Sequence, residues 1–183
     1  MWPIIGLMLV FACKSPDARR PVSEASGSFI DESIQRNKKL VAYEESLIKK
    51  IIEKDTANNY LTSKNGFWYY YNTKSNIPSD KPDFGDKVVF NYNILHLNGS
   101  PIYSTGEISV RTYIMDKENL FTGLRQGLKL MKEGETVTFL FPSYTAFGYY
   151  GDNDKIGTNI PLKSTVTLQS IEDNIETKTD TLN

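Results

Sequence analysis

The residues best placed to do chemistry lie between positions 140 and 171, in LFPSYTAFGYYGDNDKIGTNIPLKSTVTLQSI. An apolar strand enters this stretch and stops at Pro142. A loop rich in Gly and Tyr follows, then the corner Ile160-Pro161 and an alternating strand over 164–171. Aromatic rings on the rim of such a loop, facing an Ile-Pro corner, suit a shallow apolar cleft and an apolar guest. A polar or charged substrate would need other residues. The chain holds one His and one Cys, which leaves no multi-ligand zinc site and no internal disulfide. No metal and no cofactor is expected.

Composition narrows the rest. A chain of 183 residues, 39% hydrophobic and 23% charged, has room for one core and an appendage. Lys and Arg number 21 against 22 Asp and Glu, for a net charge of −1, with no clustered basic patch. Nothing there pulls on nucleic acid. Eleven Tyr and nine Phe point to an aromatic-lined core or groove.

Residues 2–12 form an apolar run of about eleven, too short for a bilayer that needs roughly 20. The run ends Val10-Phe11-Ala12-Cys13, which resembles a bacterial lipobox. The resemblance implies a signal peptide over 1–12, lipid on Cys13, and a membrane anchor in a bacterial envelope; with no acidic run after Cys13, the anchor is expected to face the periplasm. Residues 13–28, rich in Ser, Pro, Ala and Arg, bury too little to fold alone and read as a tether.

Residues 29–58, within a segment 29–62, carry a helical pattern. Ile30, Ile34, Val41, Ile48 and Ile52 recur at spacings of four and seven, with Leu40, Leu47 and Ile51 alongside. Asp31 can cap the start, and Glu44, Glu45, Lys49, Lys50, Glu53 and Lys54 occupy the opposite side. The apolar stripe either packs on the domain that follows or takes a second copy or partner helix through 29–60. From Gly66 the pattern turns to β. Strands are expected over 67–71, 88–97, 109–115, 135–141 and 164–171, with an Asn98-Gly99 hairpin turn. A short helix over 119–131 puts Leu120, Phe121, Leu124, Leu128 and Met131 on one face. This order gives an antiparallel sheet with one helix against it.

Five ordered motifs carry a family resemblance: GDKVVFNY (85–92), NGSPIYS (98–104), FTGLRQGLKLMKEGE (121–135), FPSYTAFGYYG (141–151) and IPLKSTVTL (160–168). Together they resemble the FKBP-type peptidyl-prolyl isomerases over residues 66–173, with a polar tail at 174–183. With the lipobox and helix, the chain is similar to gliding-motility-associated FKBP-like lipoproteins of the Bacteroidetes. The implied fold is α+β, an FKBP-like antiparallel β-sheet wrapped on one short helix and preceded by a long N-terminal helix.

The resemblance also implies a site. Tyr92 matches a tyrosine on the strand floor of the family pocket, and Ile102 stands in for a pocket phenylalanine. Tyr103 occupies the place of a buried acid. Leu120 and Phe121 match the apolar pair entering the helix, the second offering a backbone N–H to ligands. Leu124 takes the place of a pocket-floor tryptophan and Leu168 that of a phenylalanine. Ile160 precedes the Pro corner, and Phe147 matches a loop tyrosine without its hydroxyl. The catalytic set so implied is Tyr92, Tyr103, Phe121, Phe147 and Ile160, with Ile102, Leu120, Leu124 and Leu168 binding substrate.

Such a site needs no nucleophile. The X–Pro bond turns slowly because its partial double bond raises a barrier of ~18–20 kcal/mol. Twisting removes resonance and leaves a less polar amide, which a dry apolar pocket favours over the planar, solvated one. The expectation is an isomerase that assists folding of exported proteins, with X–Pro segments as partners. The alternatives are a catalytically weak chaperone of the same fold, and a structural component of a membrane assembly docked by the helix.

Overall fold

A long helix opens the described part of the chain. In the computed structural model, which describes residues 24–76 and 78–174, α1 spans Glu24–Lys54. It starts ahead of residue 29, so Asp31 lies inside the helix instead of capping it. It ends short of residue 58 because the Asp55 carboxylate accepts from Asn58 Nδ2 and from the Tyr60 hydroxyl, both at 2.9 Å, and turns the chain. No helix among the described residues is long and apolar enough to cross a membrane. Cys13 and most of the 13–28 tether lie outside the described residues.

Contacts divide the chain into two units, 1–36 and 37–183. In the first, Phe29, Ile30 and Ile34 are exposed. In the second, the remainder of α1 packs: Ile48 is fully buried, and Leu40, Val41, Leu47, Ile51 and Ile52 are half-buried. The apolar stripe is therefore used as core only from about Leu40 onward. Glu44, expected on the solvated side, is buried with it.

Eight strands follow: β1 Leu61–Thr62, β2 Trp68–Thr73, β3 Lys87–Tyr92, β4 Ile94–His96, β5 Pro101–Tyr103, β6 Arg111–Ile114, β7 Thr136–Phe141 and β8 Leu162–Glu172. They form one antiparallel sheet in the order β1-β2-β7-β8-β3-β6, with β4 against β8 and β5 against β4. The single strand expected over 88–97 breaks at Asn93. There the side-chain Oδ1 accepts the Thr165 N–H at 2.8 Å and Ser164 Oγ donates to the Asn93 carbonyl at 2.6 Å, replacing ladder bonds. The Asn98-Gly99 turn stands where expected. Gly99 has φ +89° and donates to the His96 carbonyl, while Asn98 Oδ1 accepts from the Ser100 N–H.

Two short helices interrupt the strands: α2 Thr105–Ile108 and α3 Thr122–Leu128. The first was not expected. It carries a capping box in which Ser104 Oγ accepts from the Glu107 N–H and the Glu107 carboxylate accepts from the Ser104 N–H. It displaces the start of β6 from 109 to 111. The second is shorter than the expected 119–131, since beyond Leu128 the chain closes in turns, with the Leu130 and Met131 N–H groups bonding to Gly127 and Leu128.

The main core lies between α3 and the sheet. Leu124, Leu128 and Met131 meet Phe67, Val88, Phe90, Val137, Phe139, Phe141, Val166 and Leu168, all fully buried. Strand alternation sends Leu140 to the other face of β7, where it is buried as well. Two glycines let α3 lie this close. A Cβ at Gly123 would stand 2.6 Å from the Phe141 ring and 2.8 Å from the Thr145 carbonyl, and one at Gly127 would stand 2.9 Å from the Phe139 ring.

Candidate functional site

Three chain crossings meet at one edge of the core. β3 ends at Tyr92, the approach to α3 brings Leu120 and Phe121, and β7 runs through Pro142 into a 3-10 turn, Ser143–Thr145, that delivers Ala146 and Phe147. Between them opens a cavity of about 410 Å³ lined by Tyr92, Arg111, Asn119, Leu120, Phe121, Ala146 and Phe147. Its volume suits a small ring or short side chain in a shallow cleft.

The apolar wall is ordered by ring packing. Phe121 caps α3 from extended backbone (φ −61°, ψ 143°), and its ring lies 5.4 Å from Phe141 edge-on and 5.0 Å from Phe147. Tyr92, almost fully buried, lies 5.5 Å from Phe90. The loop under Phe147 is tightened from inside: the Ala146 and Gly148 N–H groups both donate to the Ser143 carbonyl, and Thr145 Oγ1 donates to Pro142.

That turn is also held from outside. Glu44 on α1 accepts from the Ser143 N–H at 2.8 Å and from Ser143 Oγ at 2.7 Å, in a fully buried setting. A buried carboxylate persists where charge-assisted hydrogen bonds replace water. Helix α1 thus fixes the start of the segment that carries Phe147.

Of the residues expected in the site, the cavity brings together Tyr92, Leu120, Phe121 and Phe147. Ile102, Leu124 and Leu168 belong to the buried core behind it, and Tyr103 and Ile160 pack half-buried against that core without lining the cavity. Arg111, Asn119 and Ala146 line it and were not foreseen, and neither was the Glu44 tie. A charged residue at the start of an edge strand and a polar residue before a helix give no local signal.

Tyr103 is engaged elsewhere. Its hydroxyl lies 2.6 Å from Asp152 Oδ2 and 3.0 Å from Asp154 Oδ2, both on the loop before Ile160, and it accepts from the Lys155 N–H. The Lys155 ammonium sits 4.8 Å from the Tyr103 ring centre and pairs with Glu107 of α2. Burial first, then the Asp152 bond, pushes the Tyr103 hydroxyl up to about 12. Burial alone would raise Asp152, yet the bonds from Tyr103 and from the Asp154 and Ile156 N–H groups hold it below the usual carboxylate range. The Tyr103 hydroxyl is thus tied to two carboxylates of the loop before Ile160.

An antiparallel sheet wrapped on a short helix, with an aromatic cavity at the helix entrance and no nucleophile in its wall, defines a fold and cleft suited to prolyl rings. Residues 79–169 match the family of FKBP-type peptidyl-prolyl cis-trans isomerases, and the chain carries an isomerase domain of that type. Three solved structures share the fold. A peptidyl-prolyl cis-trans isomerase from Pseudomonas syringae pv. tomato is 20% identical, covering 74% of this chain and 96% of its own, with a TM-score of 0.59. FkpA from Escherichia coli is 21% identical, covering 82% and 75%, also at 0.59. The N-terminal domain of FKBP42 from Arabidopsis thaliana is 17% identical, covering 63% and 93%, at 0.56. No curated protein matches the sequence.

Proposed function

We propose that this isomerase domain works on exported or envelope proteins, held at a bacterial membrane by lipid on Cys13 and facing the periplasm. Its clients include the components of gliding motility, as the similarity in motif order, lipobox and helix suggests. The observation that carries the site assignment is the cavity formed by Tyr92, Leu120, Phe121 and Phe147. A prolyl ring seated there meets ring faces and aliphatic carbons. The amide beside it leaves bulk water, which favours the twisted over the planar bond. Distortion and desolvation act together, and no covalent step is required.

Residues 14–183, produced without the lipid, are expected to accelerate cis-to-trans conversion of an X–Pro test peptide. A rate equal to buffer at micromolar protein overturns the site assignment. Anchoring is tested separately: the full chain made in a bacterium should partition with membranes, and Cys13→Ser should release it. A soluble wild type would refute the anchor.

The loop favours a second reading of how clients are held. Tyr144, Tyr149 and Tyr150, on the segment that carries Phe147, are exposed, and exposed rings offer contact to an unfolded chain. In this reading the protein holds extended Pro-containing segments longer than it turns them over. Suppression of aggregation by a variant that has lost isomerisation would support it.

A further inference from the structure

The prolyl cleft contains one charge. Arg111, at the start of the edge strand β6, lines the cavity half-buried beside Leu120, Phe121 and Phe147. One of its nitrogens, Nη2, donates to the Asn119 carbonyl at 3.0 Å, which holds the side chain against the wall. A guanidinium has five N–H donors, so this bond leaves most of them for another acceptor.

No carboxylate among the described residues forms an ion pair with Arg111. Several acids of the surrounding chain are engaged elsewhere, and Glu118, next to Asn119, is exposed to solvent. Asp116 pairs with Arg125 and Lys129, Glu107 pairs with Lys155, and Asp152 and Asp154 face the Tyr103 hydroxyl. The rest of the cavity wall carries no charge, so Arg111 projects an unneutralised positive field into a concave apolar surface. Such a surface concentrates field lines and rewards an opposite charge on whatever enters.

We propose that Arg111 is a specificity-determining residue and that the cleft selects X–Pro segments with an acidic side chain flanking the proline. The proposal rests on the isomerase reading of this cavity and names its substrate class. A planar guanidinium with free N–H groups pairs with a carboxylate through two parallel bonds. A basic residue at the same place meets like charge. Because the guanidinium is half-exposed, selection acts over a modest range and weakens with salt.

The test compares peptides that differ only at the residue before proline (Glu, Ala or Lys), with a second set varied after it, at low and high salt. For wild type, kcat/KM is expected to favour Glu over Lys by about fivefold or more at low salt in at least one set. Added salt should compress the ratio. Arg111→Gln should bring it to about one, and Arg111→Lys should keep its direction. A side chain that merely braced the Asn119 carbonyl would slow all peptides alike and leave the ratio intact. A wild-type ratio of one in both sets overturns the proposal, as does a ratio unchanged in Arg111→Gln. The Ala–Pro rate judges the isomerase reading separately. If that rate equals buffer, calorimetric binding of the Glu and Lys peptides still decides the charge preference. Should Arg111→Gln fail to fold, the wild-type ratios and Arg111→Lys carry the decision.

Discussion

Tyr103 keeps its proton late because burial strips water from its hydroxyl, which is also held against two carboxylates. Its folded pKa of about 12 stands above the ordinary 10.0. A raised value means that the folded state binds the proton more tightly than the unfolded state. The contribution is therefore complete below pH 10 and is lost as pH climbs through about 12. Tyr103→Phe should remove one late tyrosinate step from an ultraviolet titration and flatten the alkaline loss of stability; an unchanged titration would contradict the assignment. Tyr103→Asp should be worse than Tyr103→Phe, because it sets a third carboxylate beside Asp152 and Asp154. Urea unfolding of the two variants at neutral pH gives the comparison. On the acid side, the Lys155 bond and the Ser104 bonds hold Glu107 at about 2, so its share is present above the ordinary 4.5 and fades as pH falls.

Among the elements, α1 and α3 are joined to the sheet by different means. Helix α1 uses the buried Glu44 carboxylate on Ser143. Glu44→Ala strips the Ser143 N–H and Oγ of their partner and should cost about 1–3 kcal/mol in urea unfolding. Glu44→Gln, which can still accept one of those bonds, should cost less. Equal stability of all three would remove the tie from the account. Helix α3 uses the absence of side chains. Gly123→Ala gains about 1 kcal/mol of helix propensity, but its methyl meets a backbone carbonyl that cannot move aside. Overpacking of about 1–3 kcal/mol should win, and a lowered Tm is the expected result. A raised Tm would mean that the helix shifts freely. Both elements hold the wall of the cleft, so either change should also slow isomerisation.

For the molecule as a whole, residues 37–183 contain the core, the cavity and the Glu44–Ser143 tie. A chain beginning at residue 37 should keep the Tm and peptide rate of residues 14–183. A fall in either would show that the first unit supports the second. Sedimentation of the same two chains measures whether the exposed Phe29, Ile30 and Ile34 recruit a second copy. Equal protomer number in both removes that role from 29–36. Much of the architecture was legible along the chain. Asn98-Gly99 marked a hairpin because few residues accept positive φ, and the alternation over 164–171 marked β8 because one pleat face is buried. Ser104-Thr105-Gly106-Glu107 spells a capping box, a local signal for α2.

Local sequence determined the fold class, the order of strands, the helix entering the cleft at Leu120-Phe121 and the aromatic loop that ends at Ile160-Pro161. Periodicity and turn chemistry are properties of a few neighbouring residues, so one chain reveals them. The tertiary structure decided what the wall of the cleft is made of. Tyr92, Arg111, Phe121 and Phe147 come from separate elements and meet only through long-range packing. Glu44 read as a solvated residue because charge pattern records polarity and not which neighbour arrives to satisfy it. Tyr103 read as the loss of a carboxylate, and only folding set its hydroxyl against Asp152. Periodicity reports which face of an element is apolar, while pairing a buried charge depends on distance in space.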